Sequence, residues 1–346
     1  MPRPADVTPV PASLITGFLG SGKTTLLNAL LSHPGMKETA VIVNEFGEIG
    51  LDHLLIESAF EDAVLLKSGC ICCTVRGDLV DTIETLDARM RRGEIPRFKR
   101  IAIETTGLAD PAPILATLME DARLKSLVAL DRVVATVDAA NALSQLDAHY
   151  ESAKQAALAD YLVLTKTDLV SRETRAAVEA RLKAFNPWAP VLIAVDGRIA
   201  PEALFGAAPE SASRDVRLAA AERLGHHDHG HDGGAAHLAH AHGIATFTLT
   251  HDAPVAWDDL RAWLESLASL KGPDLLRMKG LINVRGRAGP VALNGVQHVF
   301  HPPRELKAWP DADRRTRIVF ITRNIPRDAV ARSFAAALRA GVTKST

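Results

Sequence analysis

The segment from Gly17 to Thr24, which reads Gly-Phe-Leu-Gly-Ser-Gly-Lys-Thr, constrains this chain more than any other. It fits the pattern G-x-x-x-x-G-K-[ST], in which glycines let the backbone approach a phosphate and backbone N–H groups hold its negative charge. An apolar stretch precedes the segment at residues 10–16, and a helix-like stretch follows it. A strand, a glycine-rich loop and a helix in this order predict a phosphate-binding loop.

Individual residues of the loop have predicted chemical tasks. Lys23 would reach the β- and γ-phosphates of a nucleotide, and the hydroxyl of Thr24 would ligate Mg²⁺. The other residues predicted to contact the nucleotide here are Gly17, Gly20, Ser21, Gly22 and Thr25. The alternative is a plain glycine turn between a strand and a helix, but such a turn does not require a Lys-Thr pair in this register.

Length and composition limit the class of protein. A chain of 346 residues predicts two domains, because single cores rarely grow beyond about 250–300 residues. The net charge of −1 argues against a dedicated nucleic-acid or membrane-surface protein. No apolar run reaches the roughly 18 residues of a membrane span, and the first residues do not resemble a signal peptide. We therefore expect a cytoplasmic protein that needs neither nucleic acid nor membrane as a partner.

Strand-like and helix-like segments alternate over the first 200 residues, which is typical of a parallel sheet with crossover helices. Besides residues 10–16, the strand candidates are residues 40–44, 63–66, 100–104, 132–138, 161–165 and 191–194. The helix candidates are residues 24–32, 77–92, 111–120, 153–158 and 172–185. The predicted fold is therefore α/β with a mostly parallel sheet, occupying residues 1–205.

A histidine-rich segment separates this domain from a second one. Residues 206–243 are predicted to form a flexible linker of low apolar content. It contains seven of the 13 histidines, His226, His227, His229, His231, His237, His240 and His242. These imidazoles would bind metal weakly, or the segment is only a solvated linker.

The remaining residues, 244–346, predict a small α+β domain. Its strand candidates are residues 245–250, 278–285, 291–293, 296–301 and 317–322, and its helix candidates are residues 257–270 and 328–339. We recognise no catalytic motif in this part of the sequence.

A four-residue motif, Thr165-Lys166-Thr167-Asp168, follows an apolar strand candidate. It resembles the [NT]-K-x-D element of GTPases, in which the aspartate accepts hydrogen bonds from guanine N1 and N2 and the lysine stem packs on the base. Adenine offers no such pair of donors, so the motif favours GTP. The alternative is a Lys-Asp turn that opens a helix. Thr165 stands where asparagine is usual, and we expect it to lose a polar contact to the loop or base.

Acidic residues follow two other strand candidates. Glu104 ends one strand and is placed to bind Mg²⁺, and the nearby Gly107 N–H could meet the γ-phosphate. A loop after residue 44 carries Glu45, Glu48 and Asp52, which could position the attacking water or touch a metal. The alternatives are a solvated carboxylate at a strand end for the first and a solvated turn for the second.

Three cysteines lie within four residues, at Cys70, Cys72 and Cys73. An odd number crowded together is not a disulfide framework, and a structural zinc ribbon would need a second cysteine pair. A metal bound here would have an open or borrowed fourth ligand position, which suits a site that releases its metal. Thiolates favour Zn²⁺ or Cu⁺, with cobalt and nickel also allowed. The alternatives are a redox pair and buried core cysteines.

Taken together, these segments resemble the CobW-type GTPases, a branch of the metal-handling GTPases that includes urease and hydrogenase accessory proteins. The matching segments are residues 17–24, 47–52, 70–73, 104–111 and 165–168, with the histidine-rich linker and the second domain as further shared features. The resemblance implies slow intrinsic GTP hydrolysis and metal binding at the cysteines. It also implies delivery of zinc or cobalt to a client metalloprotein or metal-insertion enzyme.

The sequence therefore predicts a GTP-dependent metallochaperone that uses GTP, Mg²⁺ and Zn²⁺ or Co²⁺. The predicted catalytic residues are Lys23, Glu48, Glu104 and Gly107. The predicted metal ligands are Cys70, Cys72, Cys73, Thr24, Glu104, Glu45 and Glu48. One alternative is a metal buffer whose affinity does not depend on nucleotide, and a second is a small-molecule kinase. A homodimer is compatible with this interpretation.

Overall fold

The computed structural model describes residues 8–44, 64–65, 71–75, 79–205 and 241–342. Over these ranges the chain forms two compact units. The first contains the described residues up to 145 together with 159–178 and 190–205; the second contains 146–158, 179–189 and 241–342. The domain limits drawn from the sequence, 1–205, 206–243 and 244–346, stay predictions.

A sheet that has eight strands over the described residues forms the first unit. The strands are β1 Val10–Gly17, β2 Thr39–Asn44, β3 Val64–Leu65, β4 Ile71–Val75, β5 Arg100–Thr105, β6 Val128–Asp138, β7 Tyr161–Thr165 and β8 Val191–Ile193. Their order across the sheet is β3-β4-β2-β5-β1-β6-β7-β8. Neighbours are parallel except β3 with β4. This confirms the predicted α/β fold with a mostly parallel sheet.

The central strands are buried on both faces. Consecutive residues of β7 are all buried, and so are most of β1 and β5, which requires cover on both sides because side chains alternate between faces. The first helix, α1 Lys23–Leu31, supplies part of this cover. Leu26 and Leu30 pack in a cluster with Val134 and Val163. The helix is thereby fixed against the strands that end at the phosphate-binding loop.

The other α-helices of the first 205 residues connect these strands, except the last, which follows β8. They are α2 Leu79–Arg91, α3 Pro111–Glu120, α4 Ala142–Ala148, α5 Tyr150–Leu158, α6 Arg172–Phe185 and α7 Pro201–Phe205. Asp110 caps α3 by accepting a bond from the Ala112 N–H (3.0 Å), with Pro111 in the first turn. The sequence prediction missed α4, although Ala142 and Leu146 are buried at i, i+4 spacing. Nowhere in the described ranges does a helix have the length and apolarity needed to cross a membrane.

An antiparallel sheet and two helices make up most of the second unit. The strands are β9 Ile244–His251, β10 Leu275–Ile282, β11 Val291–Val296, β12 Val299–Phe300, β13 Arg304–Glu305 and β14 Thr316–Arg323, and the helices are α8 Trp257–Lys271 and α9 Arg327–Val342. The main order is β12-β11-β10-β14-β9, with β13 paired to β11. The predicted strand at 296–301 is shorter in the structure, because a tight turn at Gln297 (φ 52°) separates β11 from β12. The predicted α+β architecture is confirmed.

The two faces of this sheet differ in chemistry. One face packs on α8 and α9 through an aromatic cluster in which the rings of Trp263 and Phe334 are 4.8 Å apart. On the other face, Arg277 donates from Nη1 to the carbonyl of Leu158 (2.9 Å). Thr246 donates from its hydroxyl to the carbonyl of Phe185 (2.6 Å). The sheet therefore caps the last residues of α5 and α6, whose carbonyls have no partner within their own helices.

Asp313 gives the second unit an acid-sensitive contribution to stability. Hydrogen bonds from the Arg315 guanidinium, the shortest 2.8 Å, hold the pKa of this carboxyl at about 2, below its ordinary 3.8. A folded pKa below the unfolded value stabilises fully above about pH 4, and the effect is lost as the pH falls towards 2. We expect Asp313→Asn to lower the free energy of unfolding by at most about 2 kcal/mol at pH 7. The deficit should shrink between pH 4 and pH 2.

Urea unfolding followed by tryptophan fluorescence measures this effect, because all four tryptophans, Trp188, Trp257, Trp263 and Trp309, lie in the second unit. Asp258→Asn is the matched control, since Asp258 is 87% exposed and pairs with Arg261 only at 3.8 Å. A deficit for Asp313→Asn that stays constant from pH 7 to pH 2 would contradict the assignment.

Candidate nucleotide-binding site

The loop between β1 and α1 has a backbone that requires glycine at three positions. Gly17, Gly20 and Gly22 have φ values of 144°, 69° and 91°, which L side chains rarely adopt. A Cβ at Gly17 would lie 2.2 Å from the Thr136 hydroxyl oxygen, whereas a Cβ at Gly20 would meet no atom within 4 Å. The loop thus rests directly on β6 at Gly17 and has open space beside Gly20, in its middle. This backbone fits the phosphate-binding loop that the sequence pattern predicts.

The charged and hydroxyl side chains of the loop converge with the acid at the end of β5. Lys23 Nζ donates to the carbonyls of Gly17 (3.0 Å) and Phe18 (3.2 Å), so its ammonium lies over the loop. The Thr24 hydroxyl donates to Glu104 Oε1 at 2.6 Å. Glu104 is only 5% exposed. Mg²⁺ prefers hard oxygen ligands such as hydroxyl and carboxylate groups. The oxygens of Thr24 and Glu104 lie close together and therefore fit this ion.

The loop after β5 lies against the phosphate-binding loop. A Cβ added to Gly107 would be 2.8 Å from both the amide nitrogen and the Cα of Leu19. A side chain at this position would therefore push the two loops apart. The structure places Gly107 beside residues 17–24, as its predicted role requires, and leaves that role a prediction.

A ladder of buried hydroxyls joins the strand ends beneath the loop. Thr105 donates to the Thr16 hydroxyl (2.9 Å), and Thr136 donates to the Thr16 carbonyl (3.3 Å). The Ser21 and Thr136 hydroxyls are 2.6 Å apart. Of these residues the sequence analysis named only Ser21; it also named Thr165, whose hydroxyl bonds to the Ser21 carbonyl. The signal that could have revealed the others is a hydroxyl residue at or near the end of each neighbouring strand.

The predicted base-recognition motif follows β7 and forms a short 3-10 turn at Thr167–Leu169. Thr165 donates from its hydroxyl to the Ser21 carbonyl (2.8 Å). This corrects the expectation that threonine loses the contact to the loop, because the hydroxyl reaches the loop backbone directly. Asp168 is exposed, as a residue that binds a ligand must be. Lys166 has a left-handed backbone (φ 53°), which costs an L residue about 1–2 kcal/mol.

Asp138, at the end of β6, is a member of this site that the sequence analysis did not identify. Its carboxylate is 2% exposed and accepts a bond from Lys166 Nζ at 2.8 Å. It also accepts bonds from the Asn141 side-chain amide and the Ala140 N–H, both 2.9 Å. Burial alone would raise the pKa of Asp138, but these bonds outweigh it and hold the pKa below its ordinary value. An acid at the end of the predicted strand 132–138 was the available signal.

A second glycine contact that the sequence analysis missed lies beside the first turn of α1. Gly197 has φ 72°, and a Cβ there would be 2.5 Å from the carbonyl oxygen of Thr25. The loop after β8 is thus packed against the helix that begins at the phosphate-binding loop. Thr25 is exposed and has this backbone contact.

Comparison with known proteins identifies the family. Residues 11–193 match the family described as "CobW/HypB/UreG, nucleotide-binding domain", which is more than half of the chain. The chain belongs to the CobW/HypB/UreG family. Residues 244–338 match the "Cobalamin synthesis protein cobW C-terminal domain". The resemblance to CobW-type GTPases is therefore confirmed across both parts of the chain.

Two curated CobW-family relatives and one crystal structure bear on function. The zinc chaperone YjiA of Escherichia coli is 31% identical over 329 residues, which cover 95% of this chain and 99% of YjiA. The zinc-regulated GTPase metalloprotein activator 1 of Schizosaccharomyces pombe is 38% identical over 202 residues, covering 56% of this chain and 48% of that protein. The crystal structure of Zn(II)-bound YjiA GTPase from E. coli superimposes with a TM-score of 0.76 at 28% identity, covering 96% of this chain and 99% of that one.

Part of the predicted metal site of this CobW-family chain lies outside the described residues, namely Glu45, Glu48 and Cys70. The backbones of Cys72 and Cys73 belong to β4, where they pair with Val41 and Ile42 of β2. Within the described ranges, no three His, Cys, Asp or Glu side chains gather closely enough to hold a metal ion. The cysteine ligand set therefore stays a prediction.

The strand register relates the cysteines to the acid of the nucleotide site. Ile42 of β2 pairs with Cys73 of β4 on one side and with Ile103 of β5 on the other. Its neighbour Val43 pairs with Glu104. The Cys73 backbone is thus two strands from the residue before Glu104, about 10 Å at the usual strand spacing.

Proposed function

We propose that the protein is a GTP-hydrolysing metallochaperone that binds zinc at Cys70, Cys72 and Cys73 and delivers it to a client metalloprotein under nucleotide control. The observation that carries the nucleotide half is the Thr24–Glu104 contact of 2.6 Å beside a glycine-rich loop. This contact brings two oxygen donors that would suit Mg²⁺ close to the loop that would hold the phosphates. Family membership and the zinc-associated relatives support the metal half.

Each residue of the nucleotide site has its own proposed role. Backbone N–H groups of residues 17–24 and the N-terminus of α1 would hold the phosphates. Lys23 would neutralise the β- and γ-phosphate charge, while Thr24 and Glu104 would hold the Mg²⁺ that lowers the charge on the transferring phosphoryl group. Glu48 is proposed to position the attacking water, and Gly107 to donate its N–H to the γ-phosphate.

The base motif supports GTP rather than ATP. The exposed Asp168 carboxylate is an acceptor without donors, so it matches the N1–H and N2–H₂ groups of guanine. Adenine would offer an unprotonated N1 to this carboxylate and leave two acceptors facing each other. Such a mismatch costs affinity because a desolvated acceptor is left unsatisfied.

Three thiolates suit zinc as the transported metal. Zinc prefers four ligands in a tetrahedral arrangement, so three cysteines leave one position for water, a further side chain of this chain or a client ligand. Thiols with an ordinary pKa near 8.5 must lose protons when they bind the metal. Zinc binding at neutral pH should therefore release protons.

The order of the strands supports coupling between the two sites. β2 lies between β4, which carries Cys72 and Cys73, and β5, which ends near Glu104. In the sequence, β2 is followed directly by the predicted loop that includes Glu45 and Glu48. A change at the γ-phosphate that shifts residues 45–48 or the end of β2 would also displace the neighbouring strands β4 and β5.

The tightest zinc site should depend on the cysteines rather than on the histidines. We expect Cys72→Ser/Cys73→Ser to lose it, whereas deletion of residues 226–242 should lower only the number of weakly bound ions. Thiolates bind zinc more strongly than neutral imidazoles, and histidines spread along the predicted linker would lose more conformational entropy on binding. Competition titration with a chromophoric zinc chelator measures both. Loss of the tightest site in the deletion variant alone would contradict the assignment.

A further inference from the structure

We infer that Asp138 is a positioning residue for recognition of the purine base. It holds Lys166 in place beside the base without contacting the nucleotide itself. The inference rests on the proposed function, since it assumes that residues 165–168 read a guanine nucleotide.

The first argument is the environment of the carboxylate. Asp138 is 2% exposed, whereas its partner Lys166 is 38% exposed. A buried carboxylate needs its charge satisfied, and here the ammonium of Lys166, the amide of Asn141 and the N–H of Ala140 all point at it. The low pKa of Asp138 agrees with an ionised group over the neutral pH range. The enclosed Asp138 carboxylate therefore fixes the position of Lys166, which is the one long, flexible side chain among its partners.

The second argument is the register between the strands that carry the two residues. Asp138 and Thr165 are paired at the carboxyl ends of β6 and β7. The Ala139 N–H donates to the Thr165 carbonyl (3.0 Å), and the Thr165 hydroxyl reaches the phosphate-binding loop at Ser21. The strand end that carries Asp138 is thus bonded to the base motif through Ala139, and the base motif is bonded to the phosphate-binding loop through Thr165.

The third argument concerns Lys166 and its turn. Its left-handed backbone directs the chain into the 3-10 turn that holds Asp168, and the Leu169 N–H donates to the Lys166 carbonyl (3.1 Å). With the ammonium held by Asp138, the aliphatic stem is fixed as a platform on which a base could pack. Fixing the stem before the ligand arrives removes rotamer entropy that binding would otherwise cost.

A purely structural role is the competing explanation. The bond from the Ala140 N–H makes Asp138 part of a local Asx-type turn, which could simply stabilise the start of α4. The two explanations differ in their dependence on Lys166 and on the presence of a base. A test must therefore compare ligands with and without a base.

The experiment measures dissociation constants of the full-length protein for GDP and for inorganic tripolyphosphate, which has no base. We expect Asp138→Asn to weaken GDP binding about tenfold and to leave tripolyphosphate binding within about twofold. Lys166→Met keeps the aliphatic stem but loses the ammonium, and should weaken GDP binding similarly. In the Lys166→Met background, Asp138→Asn should have no further effect on GDP binding.

The control is Asp147→Asn, which removes an aspartate–arginine pair of 2.6 Å (Asp147 with Arg181) outside the base motif and should change neither affinity. Equal losses for GDP and tripolyphosphate, additive losses in the double variant, or unchanged GDP binding would each overturn the inference. Should Asp138→Asn fail to fold, Asp138→Glu takes its place, because it keeps the charge but displaces the carboxylate from Lys166: a loss for GDP without a loss for tripolyphosphate supports the inference, and unchanged GDP binding overturns it. If the wild-type protein binds tripolyphosphate but binds GDP no more tightly than a nucleotide with another base, the proposed recognition of guanine is overturned instead.

Discussion

Lys23→Ala is expected to weaken the binding of GTP and GDP at least about 100-fold and to abolish GTP hydrolysis. The ammonium of Lys23 lies over the loop, within 3.0 Å of the Gly17 carbonyl and 3.2 Å of the Phe18 carbonyl. No other Lys or Arg belongs to residues 17–24. Because Lys23 is partly exposed and its ammonium bonds to backbone carbonyls of the loop, the fold should survive its loss. The free energy of unfolding without nucleotide should change by no more than about 1 kcal/mol.

A fluorescent GDP analogue and a phosphate-release assay measure these effects. Lys37→Ala is the control, because Lys37 is an exposed lysine beyond the end of α1. Full hydrolysis by Lys23→Ala, with normal kinetics, would show that residues 17–24 are not the phosphate-binding loop.

Glu104→Gln is expected to slow GTP hydrolysis by about 100-fold and to raise the Mg²⁺ concentration needed for half-maximal rate. The amide keeps an acceptor for the Thr24 hydroxyl, which is now 2.6 Å from Glu104 Oε1, so the local structure should persist. It loses the negative charge that a divalent cation requires. We therefore expect the substitution to change the hydrolysis rate and the magnesium requirement, but not the folding of the protein.

Steady-state hydrolysis measured over a magnesium titration separates the two quantities. Glu38→Gln is a matched control, since Glu38 is 46% exposed and pairs with Lys99 at 2.7 Å on the surface. An unchanged rate and an unchanged magnesium requirement for Glu104→Gln would remove Glu104 from the metal site.

Much of the first unit could be predicted because its signals are local. The pattern at residues 17–24 and the alternation of strands and helices depend on short stretches of sequence. The predicted limits of Pro111–Glu120 and Arg172–Phe185 agree with α3 and α6. In α3, a capping aspartate followed by proline marks the start of the helix. β6 begins four residues before its predicted start, because the polar pair Asp131-Arg132 interrupts an otherwise apolar strand.

The contacts that organise the site could not be predicted in the same way, because they depend on register between distant strands. Ser21 and Thr136 are 115 residues apart, yet their hydroxyls are 2.6 Å apart. Lys166 meets Asp138 only because β6 and β7 are aligned at their carboxyl ends. Thr165 replaces asparagine in the motif, and only the structure shows its hydroxyl on the Ser21 carbonyl.

The predicted residues Glu45, Glu48 and Cys70 lie outside the described ranges, so their roles stay predictions. What the structure adds is the position of the Cys72 and Cys73 backbones, on the strand beside β2. This neighbourhood makes nucleotide control of zinc binding a specific physical hypothesis.

A zinc competition titration in three nucleotide states tests the central claim most directly. Zinc affinity of the full-length protein would be measured with a non-hydrolysable GTP analogue and Mg²⁺, with GDP and Mg²⁺, and without nucleotide. The account predicts affinities that differ about 5- to 150-fold between the analogue and GDP states, and an equal, reciprocal effect of zinc on nucleotide affinity. Equal zinc affinities in all three states would contradict it and leave a metal buffer beside an uncoupled GTPase site.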